Sequence, residues 1–86
     1  MPKTIIYCTA MCPYCVRARK LLDNKGVDYE VISLDEQPER REEMIARANG
    51  RTSVPQIFID DVHVGGFDDL SELDMDDKLD PMLGVA

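Results

Sequence analysis

Tryptophan is absent from this 86-residue chain, and only three Tyr and two Phe supply aromatic rings. The interior must therefore be built from Ile, Val, Leu and Met, and a chain of this length has room for one core and one domain over residues 1–86. Basic residues are also few: ten Lys and Arg stand against 17 Asp and Glu, a formal net charge of −7. That balance excludes nucleic acid as a partner, because phosphate binding depends on a basic face that releases counterions. Long apolar runs are missing as well. The stretch from Thr4 to Tyr7 is far too short for a membrane span or a secretory leader, so the chain reads as cytoplasmic and without a membrane partner. Three cysteines, two of them only three positions apart, cannot make the several bridges of a small secreted domain, and their use is expected to be reactive.

What is present is unevenly spread. Residues 1–59 hold nine Lys/Arg against eight Asp/Glu, whereas residues 60–86 hold one Lys against nine acids. All the excess charge lies in the last third, where such a run serves mainly as a solvated face. Repeats, low-complexity tracts and linkers are lacking.

The hydrophobic period changes along the chain. Lys3 to Cys8 is predicted as a strand covered on both faces, because Ile5, Ile6, Tyr7 and Cys8 run on without a polar break. From Pro13 a helix is predicted, with Val16, Ala18, Leu21 and Leu22 inward and Arg17, Arg19 and Lys20 outward, ending at Gly26. Val27 to Leu34 alternates as a second strand. Asp35 and Pro38 open a second helix, buried through Met44, Ile45 and Ala48 and closed by Asn49-Gly50. Gln56 to Ile59 and Val62 to Val64, separated by Asp60-Asp61, form a hairpin. Beyond Gly65-Gly66, Leu70 and Leu73 mark a third helix, followed by a packed tail with Leu79, Met82 and Leu83. A four-stranded mixed α/β sheet with about three helices on both faces follows, its first two strands parallel.

Cys12-Pro13-Tyr14-Cys15 falls where a strand gives way to a helix. Unpaired backbone N–H groups at a helix start favour a thiolate, which makes Cys12 the expected nucleophile and Cys15, almost one turn on, the resolving thiol of a Cys12–Cys15 redox disulfide. Pro13 suits the first helical position, and Tyr14 is expected to line a groove. Cys8, Cys12, Cys15 and His63 make a formal Cys₃His set, but strand positions for Cys8 and His63 are poor for zinc, so no metal is expected. Cys8 reads as a small buried apolar residue.

Three separated motifs resemble the dithiol branch of the glutaredoxin family, within the thioredoxin superfamily: Cys12-Pro13-Tyr14-Cys15, Thr52-Ser53-Val54-Pro55-Gln56-Ile57-Phe58-Ile59 and Gly65-Gly66-Phe67-Asp68-Asp69-Leu70. The resemblance runs from about Thr4 to Leu83. It implies a thioredoxin-like fold and a cis bond before Pro55. It also implies a glutathione site in which Ser53, Val54 and Pro55 meet the extended peptide, and Gly66, Phe67 and Asp68 hold its γ-glutamyl end. The family's common lysine three residues before the first cysteine is here Thr9, and Arg41, in preference to Arg40, is expected to supply the charge. The implied activity is thiol–disulfide exchange by a monomer, with glutathione as co-substrate and glutathionylated or disulfide-bonded proteins, ribonucleotide reductase among them, as acceptors. Two other functions are alternatives to it. Pro13 argues against a glutathione-ligated iron–sulfur carrier, and the lack of Trp-Cys-Gly-Pro-Cys argues against a thioredoxin-like carrier served by a reductase.

Overall fold

The apolar run near the start forms β1 (Thr4–Cys8), and all five of its residues are buried. It lies inside a four-stranded sheet of order β2-β1-β3-β4, in which β2 is Glu30–Ser33, β3 is Gln56–Ile59 and β4 is Val62–Gly65. The computed structural model describes residues 2–85. β1 and β2 run parallel with Ile6 opposite Val31, across a connection containing α1 (Pro13–Asn24). β1 pairs antiparallel with β3, Ile6 facing Ile57, and β3 pairs antiparallel with β4. The expected mixed sheet is therefore present.

Alternation along β1 divides the interior. Ile6 packs with Ala18 and Leu22 of α1, Leu70 of α3 (Phe67–Met75), and Leu79 and Leu83 of α4 (Leu79–Leu83). Ile5 and Tyr7 point the other way, against Ile32, Phe58, and Met44 of α2 (Arg41–Arg47). Phe58 meets Tyr7 edge to face at 5.6 Å between ring centroids, so two of the chain's five aromatic residues pack together beneath α2.

Several expectations are corrected. Val16 is 60% exposed, because the buried stripe of α1 runs through Cys15, Ala18 and Leu22, at the three- and four-residue steps of one helix face, and position 16 lies off it. β2 begins only at Glu30, where its pairing with Ile5 starts. The second helix is split: Pro38–Arg40 make a 3₁₀ turn and α2 follows. The tail after Leu73 is itself helical, giving four α-helices among the described residues. Pro81 sits in the first turn of α4, where its missing N–H has no partner to lose, and Gly84 closes the helix at φ 78°.

Asp60 and Asp61 have φ of 51° and 66°, the pair of left-handed residues that a two-residue turn matching the strand twist requires. The turn is tied to the chain start: the Lys3 N–H donates to Asp60 Oδ1 at 2.9 Å, and the Asp60 N–H to the Lys3 carbonyl at 2.8 Å. None of the helices described is long and apolar enough to cross a membrane.

Candidate active site

Cys12 is the N-cap of α1. Its backbone is extended (φ −124°, ψ 102°), and its Sγ accepts the Cys15 N–H at 3.1 Å, the capping bond that a Ser or Asp oxygen makes elsewhere. Pro13 occupies the first helical position, where no donor is needed. The loop leading into the helix is held by Asp35, whose carboxylate accepts the Ala10 N–H at 2.6 Å. Cys12 is 9% exposed and Cys15 2%, so Cys12 is the less buried of the pair. The neighbouring Cys8 thiol, then burial, push the Cys15 thiol well up, and Cys12 adds to this against the lowering effect of the Thr9 N–H.

The second wall is the loop before β3. The Val54–Pro55 bond is cis, and the Val54 carbonyl lies 3.7 Å from Cys12 Sγ. Two side chains brace this loop from behind. Arg41 donates to the Thr52 carbonyl at 3.3 Å, and the wholly buried Gln56 amide donates to Ser53 O and Oγ at 3.0 and 3.3 Å. Gln56 Oε1 is in turn 2.7 Å from His63 Nε2 on β4.

The third wall is the start of α3. Asp69 accepts the Gly66 N–H at 3.0 Å and the Arg51 guanidinium at 3.0 Å through the same oxygen. Burial pushes the Asp69 carboxyl up, but the Gly66 N–H and Arg51 outweigh it and leave the group below the usual carboxylate range. Gly65 has φ 116°, closed to ordinary side chains, and a Cβ there would collide with the Asp69 carboxylate. Tyr14 leans over from α1, 52% exposed, with its ring 6.2 Å from that of Phe67 and the Arg17 guanidinium 5.3 Å from its centroid.

Together these walls bound one groove. Tyr14, Ser53, Val54, Pro55, Gly66, Phe67 and Asp68 line it, joined by Arg51 and Asp69. The glutaredoxin family model matches residues 4–64. A glutaredoxin of Pseudomonas aeruginosa is 54% identical over 85 residues, covering 99% of this chain and all of that one. Glutaredoxin 3 of Escherichia coli K12 is 52% identical over 83 residues, covering 96% of this chain and 99% of the relative. The chain belongs to the glutaredoxin family.

Solved glutaredoxins share its fold. A buckwheat glutaredoxin in complex with glutathione superposes with a TM-score of 0.88 at 32% identity, covering 96% of this chain and 77% of that one. The solution structure of a Brucella melitensis glutaredoxin gives 0.84 at 48% identity, covering 99% and 91%. Glutaredoxins are thiol–disulfide oxidoreductases, and that is the activity class of this chain.

Among the predicted site residues, Arg41 stands apart, on the Thr52 carbonyl behind the loop and outside the groove lining. Arg51 and Asp69 were missed. The chain leaves α2 through Asn49 (φ 58°) and Gly50 (φ 88°), and Arg51 follows that reversal across to the Gly66 turn. A single cation directly before Thr52-Ser53-Val54-Pro55 was the available signal. His63, considered as a metal ligand, faces Gln56 and Asn49 instead. No group of three or more His, Cys, Asp or Glu among the described residues is arranged to hold a metal ion.

Proposed function

We propose that this glutaredoxin uses glutathione to reduce glutathionylated proteins and protein disulfides, with Cys12 as nucleophile and Cys15 as resolving thiol. The Cys12 thiolate attacks the glutathione sulfur of a mixed disulfide, the substrate sulfur leaves and takes up a proton, and Cys12 carries the glutathione. A second glutathione thiolate attacks that glutathionyl sulfur, giving glutathione disulfide and free Cys12. With a protein disulfide, Cys12 bonds one substrate sulfur, Cys15 attacks Cys12 Sγ to release it, and two glutathiones reduce the Cys12–Cys15 bond.

One observation carries the reading. The groove runs from the Val54 carbonyl, beside Cys12 Sγ, to the helix start at Gly66-Phe67-Asp68, a span in which an extended peptide thiol meets backbone at one end and anion-binding N–H groups at the other. The buckwheat relative bound to glutathione supports it. Tyr14, Ser53 and Pro55 supply the sides, and Arg51 adds a cation at the carboxylate end. A reducing cytoplasm and disulfide-bonded acceptors such as ribonucleotide reductase belong to the same proposal.

The test is a coupled assay of the purified protein with glutathione, glutathione reductase, NADPH and a small glutathionylated substrate. Turnover that rises with glutathione is expected. No turnover overturns the proposal.

A further inference from the structure

The redox cycle above leaves Cys8 without a role. Its place in the fold does not match that idleness. Cys8 closes β1 and Cys15 lies in the first turn of α1, and the strand end packs under the helix start so that Cys8, Cys12 and Cys15 form one buried cluster capped by Val54. Cys8 and Cys15 are 4% and 2% exposed. The buried Cys15 side chain thus shares its cluster with two further thiols, Cys12 at the cap and Cys8 at the strand end.

Both supports of this contact are fixed. β1 is central in the sheet and buried throughout, and α1 is anchored by the bond from the Cys15 N–H to Cys12 Sγ. Thiol–disulfide exchange requires an attacking sulfur in contact with a disulfide sulfur, and a disulfide requires Cβ atoms about 3.5–4.5 Å apart, a separation open to side chains packed in one cluster. Holding the two groups together replaces a chance encounter with a standing one.

We propose that Cys8 is a second disulfide partner for Cys15. In the oxidised protein the Cys8 sulfur attacks Cys15 Sγ, the Cys12–Cys15 bond breaks, the Cys8–Cys15 bond forms, and Cys12 departs as the thiolate. The Cys8 proton passes to solvent. The chain is oxidised by two electrons before and after, so no outside oxidant or reductant enters. The leaving sulfur is the one that accepts a backbone N–H at a helix start, while both sulfurs that become joined are buried where a charge is costly. The product is an oxidised protein whose accessible nucleophile is free again and able to take glutathione from a substrate by the one-cysteine route. This rests on the Cys12–Cys15 redox pair proposed above.

Cleavage chemistry separates the two bonds. Met11 stands between Cys8 and Cys12, and the next methionine is Met44, so cyanogen bromide in acid divides the cysteines between a fragment ending at Met11 and the fragment 12–44. The full-length protein is oxidised with glutathione disulfide, quenched in acid, alkylated with N-ethylmaleimide and cleaved. A Cys12–Cys15 bond stays inside 12–44, whereas a Cys8–Cys15 bond links the two fragments. Linked fragments from monomeric protein are expected in wild type, and as the main intramolecular product when Cys12→Ser is treated with the thiol oxidant diamide. Cys8→Thr should abolish them and leave turnover of a glutathionylated substrate unchanged. Recovery of Cys8 fully alkylated from both wild type and Cys12→Ser, with a disulfide present inside 12–44 of wild type, overturns the Cys8 proposal alone. Absence of any disulfide in oxidised wild type overturns the redox pair with it.

Discussion

Two helix starts face each other across the groove, and the fold treats them differently. α1 begins at Cys12 with no acidic residue in its first turn, whereas α3 begins at Gly66 with Asp68 and Asp69 in its first turn. Each presents unpaired N–H groups and the positive end of a helix dipole. At α1 the capping acceptor is the Cys12 sulfur proposed as nucleophile, while at α3 the Asp69 carboxylate takes the Gly66 N–H and Arg51 bonds that carboxylate. The first start leaves its field uncancelled at the sulfur to which the proposed mechanism assigns the attack. The second largely cancels its own field and is left with shape, direction and one added arginine, which suits holding a ligand better than activating one.

The largest effect expected from breaking this asymmetry is at Cys12. Cys12→Ser should reduce all exchange to the uncatalysed background, since a hydroxyl cannot form the mixed disulfide. Cys15→Ser should keep deglutathionylation and lose reduction of protein disulfides. Limiting iodoacetamide should label Cys12 first, and labelling of Cys15 first would show that the cap does not select the nucleophile.

A smaller effect is expected across the groove. Arg51→Gln should raise the KM for a glutathionylated peptide with kcat unchanged, by roughly 0.5–1 kcal/mol, the usual worth of a half-exposed charge pair. Arg41→Ala should move KM less, because Arg41 bonds the Thr52 carbonyl outside the groove lining. Equal shifts in steady-state kinetics from the two variants would mean that bracing the loop matters as much as the cation. Giving α1 what α3 already has is a third test. Val16 is 60% exposed in the first turns of α1, so Val16→Glu puts a carboxylate beside the reactive cap at little packing cost. Iodoacetamide alkylation of Cys12 at neutral pH should slow by roughly two- to fivefold, corresponding to about 0.3–1 kcal/mol for a charge near a helix end.

The α1 start was legible in the sequence and the α3 start only in part, for one physical reason. Cys12, Pro13 and Cys15 act within a single helical turn, so spacing alone predicts their arrangement. The β1 run and the Asp60-Asp61 hairpin were legible on the same ground, being local patterns. Arg51 reaches Asp69 across 18 positions and Cys8 meets Cys15 between a strand and a helix, contacts that exist only after the sheet has assembled. The tail was legible as packed but not as helical, because α4 is only five residues long and too short for a helical period to show. Val16 was misassigned because one position along a helix is about 100° of rotation, enough to carry an apolar residue from core to solvent.

The finest test of the comparison reads the charge at the α3 start through His63, the chain's only histidine, so that its imidazole proton signals stand alone in an NMR titration. Burial first, and the Arg51 charge second, hold its pKa below the usual 6.5, with Asp69 pulling the other way. Removing the cation while leaving the carboxylate, as Arg51→Gln does, should therefore move the His63 titration upward. The same group gives the protein a pH-dependent stability of definite sign. Between its folded pKa and the ordinary value the unfolded chain binds the proton more readily, so stability rises with pH across that window. Its contribution is complete above about 6.5 and is lost as the pH falls through the folded value. Urea unfolding at a series of pH values around and below neutrality should show this slope in wild type, a shallower one in Arg51→Gln, and none from this source in His63→Gln, which keeps an amide for Gln56. If His63 titrates at the same pH in wild type and Arg51→Gln, then Arg51 is fully spoken for by Asp69, and the groove at α3 holds its ligand without the help of a cation.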